Sequence, residues 1–291
     1  SYQYLKEKFI YTAFAPVIYN ASIILFGWFN SSTPENTVRG FAIGTLIGSI
    51  VGHLILQIIG ASKSGLNFRF VSPKFKYVKE YFFVSFPLVV GQSIAVVDEQ
   101  LYRIFGSVLS AGSVASFRYA RRIALLPVGV VAQAIGVASY PLLAKLFKNN
   151  DLEELNLLVR KQLVYLFKVN GALMVFYILH SQFLIELIYE RGVFTTQDTL
   201  RVSNVFSIIA FAIVPWSLNQ ILTRSFYIQK NFWFPVISGS LITFMTVVFL
   251  IMTGNKTAEE YATVITFSLF LYSVILLLSL IHISEPTRPS V

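Results

Sequence analysis

The sequence contains no cysteine, few histidines and few charged residues. The absence of cysteine among its 291 residues excludes disulfide bonds, thiolate metal sites and cysteine nucleophiles. The three histidines, His53, His180 and His282, are far apart in the sequence, which argues against a catalytic metal centre. We therefore expect neither a metal site nor a cofactor. Charged residues make up only 13% of the chain, against about 25% in an average soluble domain.

Apolar residues dominate the composition instead. Hydrophobic residues account for 55% of the chain, and the mean hydropathy is +0.67. This composition excludes a disordered protein, argues against a soluble globular domain and favours an integral membrane protein. The net charge of +9 would favour a nucleic-acid partner in a soluble protein, but in a membrane protein basic residues first serve to orient the loops. We expect contact with membrane lipids and no nucleic acid.

Eight apolar segments are long enough to cross a bilayer core of about 30 Å as helices, which takes roughly 20 residues each. The sequence therefore predicts an all-α fold, a polytopic transmembrane helix bundle of about eight membrane helices. The third and fourth segments are longer than the bilayer is thick, and Pro87 and Pro127 are their expected kink points. The eight segments cover residues 9–29, 38–60, 80–109, 113–147, 162–188, 202–228, 232–253 and 261–283.

Basic residues are distributed unequally between the two sides of this predicted bundle. Thirteen loop lysines and arginines fall on the side of the amino end and the even-numbered loops, and four fall on the other side. Arg224 and Lys230 count here as residues of one of the basic loops. Because cytoplasmic loops are enriched in lysine and arginine, we expect a multi-pass membrane protein whose amino end and basic loops are cytoplasmic.

Four arginines lie within the third and fourth apolar segments, beside the nearly uncharged turn 110–116. A charged side chain at the bilayer centre costs about 2.5–3.5 kcal/mol on insertion scales, so these arginines should face water, a partner or a ligand. Two of them are four residues apart and share a helix face, and a third flanks that face. Arginine binds oxyanions through a planar fork, which predicts a cavity for phosphate or diphosphate. The four are Arg103, Arg118, Arg121 and Arg122.

Other interpretations of these charges stay open. The arginines could extend to the outer membrane interface, with Arg103 paired to Glu99 one helical turn earlier. Asp98 could be a counter-ion of Arg122, a proton or cation site, or a structural partner. Pro127 follows the arginines and can open the helix locally.

No enzyme motif occurs in the chain. The patterns G-x-G-x-x-G, H-E-x-x-H and G-x-S-x-G and the P-loop are all absent, so we expect a protein that is not an enzyme. Gly44, Gly48 and Gly52 recur every four residues in the second segment, which predicts close helix packing along that face.

Residues 111–130 read AGSVASFRYARRIALLPVGV, and this run resembles the eighth transmembrane helix of the MurJ/MviN family, the lipid II flippases of bacterial peptidoglycan synthesis. Three weaker matches occur in the expected order: Ala13-Phe-Ala-Pro16 with Asn20, residues 191–199 and residues 222–227. The resemblance extends to about residue 280. It implies a fragment with helices five to twelve of a fourteen-helix protein. Residues 284–291 are polar, contain two prolines and follow the last apolar run abruptly, so we expect them to be a non-native tail.

The resemblance implies a partial MOP/MATE-like fold of two six-helix lobes that alternate access to a cationic cavity. Residues 1–61 would be the last two helices of the first lobe, 62–79 a basic cytoplasmic linker and 80–283 the six-helix second lobe. Family members bind a lipid-linked diphosphate through cavity arginines, and Arg122 falls on the helix-eight arginine. Pro16 falls on the helix-five proline and would serve with Pro87 and Pro127 as a hinge.

Several positions depart from the family pattern. Arg121 stands where some members have aspartate, and Leu125 where some have glutamate. The stretch 232–253 holds no acid, which argues against sodium coupling of the kind some members use. Asp98 and Glu99 would then balance charge or couple transport to an ion gradient or the membrane potential.

The expected function is the flipping of lipid II across the bacterial inner membrane, with possible further contacts to cell-wall synthesis proteins. The alternatives are a flippase for another polyprenyl-diphosphate glycan of the O-antigen or capsule type, a cation-coupled drug antiporter, and a membrane scaffold that transports nothing. The drug antiporter would need an acidic cavity, which four arginines against two acids disfavour. In the scaffold, neutral replacement of Arg122 would have no effect.

Overall fold

A computed structural model describes residues 3, 10–66, 75–107, 109, 112–253 and 257–284. Within these ranges, the side chains at 77, 80, 84, 92–99, 101, 102, 105, 106 and 281–284 are not described. Part of the predicted linker (67–74) and nearly all of the predicted tail (285–291) lie outside the described residues, as do the side chains of Asp98 and Glu99.

The described residues form nine helices and no strand, which confirms the predicted all-α membrane fold. Seven of the nine are long and apolar enough to cross a membrane. The third expected segment is helical as well but is not among the seven. The helices are α1 (Ile10–Phe29), α2 (Pro34–Lys63), α3 (Phe75–Ser107), α4 (Ser113–Lys148), α5 (Leu152–Leu179), α6 (Ser181–Tyr189), α7 (Thr196–Ile228), α8 (Trp233–Met252) and α9 (Ala258–Ser284).

Short capping sequences begin several of these helices. The side chain of Thr33 accepts a hydrogen bond from the backbone nitrogen of Asn36 at the start of α2. Asp151 caps α5 in the same way, and Thr195 forms a reciprocal capping box with Asp198 at the start of α7. Each cap satisfies backbone N–H groups that the first helical turn leaves without a partner, so the short loops before α2, α5 and α7 end at defined residues.

The chain divides into two compact units, Ser1–Lys74 (unit 1) and Phe75–Val291 (unit 2). The boundary between them falls within the predicted linker 62–79. In unit 1, α1 and α2 pack along their length through the glycines of α2. A methyl group on Gly44, Gly48 or Gly52 would lie 2.5–2.9 Å from a backbone carbonyl oxygen of α1. The predicted close packing along this face is therefore confirmed.

Helix α7 is the centre of unit 2. It packs against α4, α5, α6 and α9, and α8 packs against both α3 and α9. Phe206, Ile213 and Phe226 on α7 are fully buried and belong to one continuous apolar core. Lipid is as apolar as these side chains, so close packing contacts hold the bundle together more than exclusion of water does.

One predicted segment is divided into two helices, and the prolines differ in their effect on the helices that contain them. The expected segment 162–188 begins ten residues earlier, at the Asp151 cap, and ends at Leu179, and a separate short helix, α6, follows His180. Directly after Pro127, α4 runs through a π-helical turn at Val128–Gln133, so its backbone departs from regular α-geometry at the expected kink. Pro16 and Pro87 lie inside α1 and α3, which continue past them.

Helix α2 contains a π-helical turn that the sequence did not predict. It covers Ser49–Ile55, includes no proline and has the buried Gly52 near its middle. The insertion of a residue into the helical turn rotates the segments on its two sides relative to each other.

Candidate anion-binding site

Unit 2 contains a partly open cavity of about 760 Å³ between helices α3, α4, α7, α8 and α9. Its described lining includes two arginines, Arg121 from α4 and Arg224 from α7, and no aspartate or glutamate. Neutral polar groups add to the lining, among them Asn219, Gln220 and Thr223. Two arginines in the described lining give this cavity charged hydrogen-bond donors that suit an anion.

Arg121 reaches the cavity beside an aromatic ring. Its guanidinium carbon lies 5.3 Å from the centre of the Trp216 ring, within the range of a cation–π contact. Trp216 stands on α7, and both side chains are half-buried. The contact fixes the direction of the Arg121 side chain toward the middle of unit 2.

Arg224 lies one turn before the end of α7 and is held in place by its neighbours. Its Nη1 atom donates to the backbone oxygen of Gln220 at 2.7 Å and to the Oε1 atom of the same residue at 2.9 Å. The guanidinium also packs on α4, where a methyl group on Gly136 would lie 2.3 Å from Nη1. Only a glycine at position 136 leaves room for this arrangement.

Hydrogen bonds between helices hold the walls of the cavity. The hydroxyl of Tyr272 on α9 donates to the backbone oxygen of Pro235 on α8 at 3.1 Å. Ser273 on α9 donates to the Oδ1 atom of Asn219 on α7 at 2.9 Å. In the apolar interior of a membrane bundle, such bonds fix the relative positions of helices α7, α8 and α9.

The structure places the four predicted arginines on two different surfaces. Arg121 lines the cavity, whereas Arg103, Arg118 and Arg122 are exposed and are not among its lining residues. Whether Arg121 shares a ligand with Arg118 and Arg122 stays a prediction. An α-helix turns by about 100° per residue, so Arg121 points to a different side of α4 from Arg122, where α7 packs against α4.

One of the exposed arginines, Arg122, lies near an aromatic cluster. The ring of Tyr119 lies 4.6 Å from that of Tyr189 and 5.6 Å from that of Phe194, measured between ring centres. Burial raises the pKa of the Tyr189 hydroxyl, and the positive charge of Arg122 partly opposes this rise. Arg122 is therefore close to the end of α6 and to the loop that joins it to α7.

That loop is itself organised around Glu190. The hydroxyl of Thr196 donates to its Oε1 atom at 2.6 Å, and the hydroxyl of Thr199 donates to Oε2. These hydrogen bonds lower the pKa of the Glu190 carboxyl, because they stabilise its charged form. They also tie the end of α6 to the first turn of α7.

Arg224 and Trp216 are the cavity residues that the sequence did not reveal. Arg224 lies near the end of an apolar run, so it counted there as a loop cation. Its direction is set by its hydrogen bonds to Gln220 and by the contact of α7 with α4. Trp216 is one of many aromatic residues in the chain, so its residue type alone did not indicate a role in a binding site.

Comparison with known proteins identifies the family. The model of the family described as lipid II flippase MurJ matches residues 4–286, nearly the whole chain. The chain belongs to the MurJ family. It is 34% identical over 154 residues to a probable lipid II flippase MurJ of Helicobacter pylori J99, which covers 52% of this chain and 33% of the relative. It is 23% identical over 248 residues to the Treponema pallidum protein of the same description, which covers 84% of this chain and 47% of the relative.

A solved MurJ structure shares this fold. The lipid II flippase MurJ in an inward closed conformation matches with a TM-score of 0.70 and 26% identity, over 94% of this chain and 57% of that one. The chain thus spans a third to about half of the length of these curated relatives. The fractions of the relatives' length that this chain covers do not confirm the expectation of a fragment with helices five to twelve. Membership of the MurJ family and the seven apolar helices make the chain a multi-pass inner-membrane protein.

Proposed function

We propose that this protein moves lipid II across the bacterial inner membrane and that Arg118 and Arg122 contact the diphosphate of the substrate. The observation that carries the residue assignment is the exposure of both arginines on one face of the membrane-spanning helix α4. Membership of the MurJ family supports the choice of lipid II as the substrate.

The exposed position of these side chains limits what they can face. A guanidinium that points into hydrocarbon costs about 2.5–3.5 kcal/mol at the bilayer centre, and arginine stays charged in proteins. Two guanidinium groups one helical turn apart avoid this cost where they contact water or an anion. Their planar forks can each bind one phosphate group bidentately, so a diphosphate engages both at once.

Alternating access is the mechanism that fits this arrangement. The diphosphate head group would enter a cavity from the cytoplasmic side, while the polyprenyl tail stays in lipid. Arg103 on α3 would assist in binding, and Asp98 and Glu99 would balance charge or couple transport to an ion gradient. Helix bending at Pro16, Pro87 and Pro127 would accompany the change, and the π-helical turn after Pro127 supports this role for α4.

Transport of this kind makes and breaks no bond, so the protein is not an enzyme and needs no cofactor. The amino end and the basic loops would lie in the cytoplasm, as the distribution of lysine and arginine predicts. The basic loops would contact anionic lipids. Contacts with cell-wall synthesis proteins stay a prediction.

Genetic complementation tests the proposal. The gene for this protein is expressed in cells depleted of their own lipid II flippase, with Arg118→Gln, Arg122→Gln or Arg39→Gln, and each variant is checked for equal amounts in the membrane. Arg39 is the matched control, because it is an exposed arginine whose Nη2 atom lies 2.9 Å from Oε1 of Glu35, one turn away. We expect the unchanged protein and Arg39→Gln to prevent lysis, and the other two variants to fail.

The outcomes distinguish the transport of lipid II from the roles assigned to Arg118 and Arg122. Rescue by Arg122→Gln would contradict the assignment of this arginine while leaving the activity in place. Lysis with the unchanged protein at a normal membrane level would contradict lipid II as the substrate and favour a flippase for another polyprenyl-diphosphate glycan.

A further inference from the structure

We infer that the internal cavity of unit 2 is a second anion site, distinct from the exposed arginines of the proposed substrate path, and that its ligand is an organic phosphate. Arg121 and Arg224 would bind the phosphate oxygens, and the aromatic and aliphatic lining would hold the apolar part of the ligand. The site goes beyond lipid II transport, because Arg118, Arg122 and Arg103 lie outside it.

The guanidinium of Arg224 keeps hydrogen-bond donors that Gln220 does not use. Its hydrogen bonds in the described structure go only to Gln220, and both use Nη1. Gln220 is neutral, so it stabilises the position of the guanidinium without balancing its charge. Nε and Nη2 retain their donors, and a fork with two remaining donor atoms at a cavity wall suits a phosphate group.

A second guanidinium contributes to the same lining. Arg121 reaches the cavity from α4, and its contact with the Trp216 ring leaves it half-buried. Arginine does not lose its proton in proteins, so both side chains remain charged at physiological pH. An anion that lies between Arg121 and Arg224 would accept hydrogen bonds from both guanidinium groups.

The size and lining of the cavity also fit an organic ligand. Its volume of about 760 Å³ falls in the range of sites for organic ligands, which is roughly 300–1,000 Å³, and exceeds the need of a bare phosphate ion. The side-chain amide of Asn219 offers a neutral donor, and the Thr223 hydroxyl, which donates to the backbone oxygen of Asn219, offers an acceptor. Trp216, Tyr227 and Leu269 offer apolar surface for the rest of the molecule. This combination fits a phosphate ester, either a free small molecule or the head group of a phospholipid.

Tryptophan fluorescence can report binding in the cavity directly. The chain has three tryptophans, and the changes Trp28→Phe and Trp233→Phe leave Trp216 as the only one. The purified protein in a neutral detergent is titrated with phenyl phosphate, and excitation at the red edge of the tryptophan band avoids absorption by the ligand. We expect a saturable change in the emission of Trp216.

Variants locate the site. Arg121→Gln and Arg224→Gln should each weaken the apparent affinity about tenfold or more, because each removes a charged hydrogen-bonding partner. Arg39→Gln, a matched change at an exposed arginine of unit 1 outside both the cavity and the proposed substrate path, should leave the affinity unchanged. Arg224→Lys keeps the charge and should bind with intermediate affinity, which makes the test informative even if a glutamine variant fails to fold.

Competing ligands identify the source of the phosphate. Displacement of phenyl phosphate by a short-chain phosphatidylglycerol supports a lipid head group, and a lack of displacement supports a free organic phosphate. Benzyl alcohol, a neutral ligand of similar shape, should not saturate the signal. The site is contradicted by an equal response to benzyl alcohol, by the absence of any saturable response, or by unchanged affinity in the Arg121 and Arg224 variants. None of these results depends on transport of lipid II.

Discussion

The guanidinium of Arg121 packs over the ring of Trp216 at 5.3 Å, while the next residue, Arg122, is exposed. Two consecutive arginines of α4 therefore face different parts of unit 2. Arg121 lines the cavity, and Arg122 lies on the outer surface of the unit. This separation is the reason that substitutions at these two neighbours should have different effects on anion binding and on transport.

The packing of α1 against α2 gives the first prediction. Gly44→Ala should destabilise unit 1 by about 1–3 kcal/mol, because the added methyl group would lie 2.5 Å from the backbone oxygen of Ser22 and 2.8 Å from the Cα atom of Ile23. Thermal unfolding in detergent measures the change. Gly171→Ala is the matched control, since a methyl group at that helical position meets no atom within 4 Å. Equal melting temperatures for the two variants would show that this close approach does not limit stability.

The contact between α4 and Arg224 gives the second prediction. Gly136→Ala should displace the guanidinium of Arg224 and weaken the binding of phenyl phosphate several-fold, as read from Trp216 emission. The melting temperature should hardly change, because the flexible end of a side chain can move away at little cost. Gly129→Ala is the control on the same helix, where a methyl group has open space. Weakened binding in the Gly129 variant as well would attribute the effect to α4 in general and not to Arg224.

The loop around Glu190 gives a prediction about pH. Its carboxyl pKa is lowered from the ordinary value of 4.5 by hydrogen bonds from Thr196 and Thr199. A lowered pKa in the folded state stabilises the protein above the unfolded pKa, and this contribution is lost as the pH falls through the folded value. The unchanged protein should therefore melt at a higher temperature than Glu190→Gln near pH 7, and the difference should shrink below about pH 4.5.

The control for this pH series is Glu186→Gln, which removes an exposed carboxylate one turn earlier without removing the threonine hydrogen bonds. A difference between Glu190→Gln and the unchanged protein that grows as the pH falls would contradict the assignment.

A buried amide gives the fourth prediction. Asn170 on α5 is fully buried, and neither its Nδ2 nor its Oδ1 atom has a hydrogen-bond partner among the described residues. A buried polar group without a partner costs about 1–3 kcal/mol, so Asn170→Leu should raise stability by a similar amount. Asn170→Ala removes the same amide but leaves a cavity, so it should gain less. A lower melting temperature for the leucine variant would show that the amide makes a stabilising contact.

Much of the fold was predictable from the sequence because its signals are local. Continuous apolar runs marked the positions of the membrane helices to within a few residues for α1, α4 and α8, and the spacing of Gly44, Gly48 and Gly52 predicted close packing along that face of α2 without naming its partner. The break at His180 was not predicted, because apolar residues on both sides of the short polar stretch 180–182 resemble one membrane segment.

The candidate site was predictable only in part. The sequence singled out Arg121 as a charge that needs a polar environment, but the side of α4 that faces inward depends on its packing against α7. Arg224 carried no signal of its own, since a cation near the end of an apolar run is usually a loop residue. Both features depend on contacts between segments that are about 100 residues apart in the chain.

We propose that the protein exposes lipid II at the outer face of the membrane through Arg122. The most direct measurement follows the cleavage of lipid II by an externally added lipid II hydrolase, in spheroplasts depleted of their own flippase. The unchanged protein and Arg39→Gln should restore cleavage, and Arg122→Gln should slow it about tenfold or more, as expected for the loss of a charged contact. Equal rates for Arg122→Gln and the unchanged protein would contradict the role of this arginine, and an absence of cleavage with the unchanged protein would contradict lipid II transport itself.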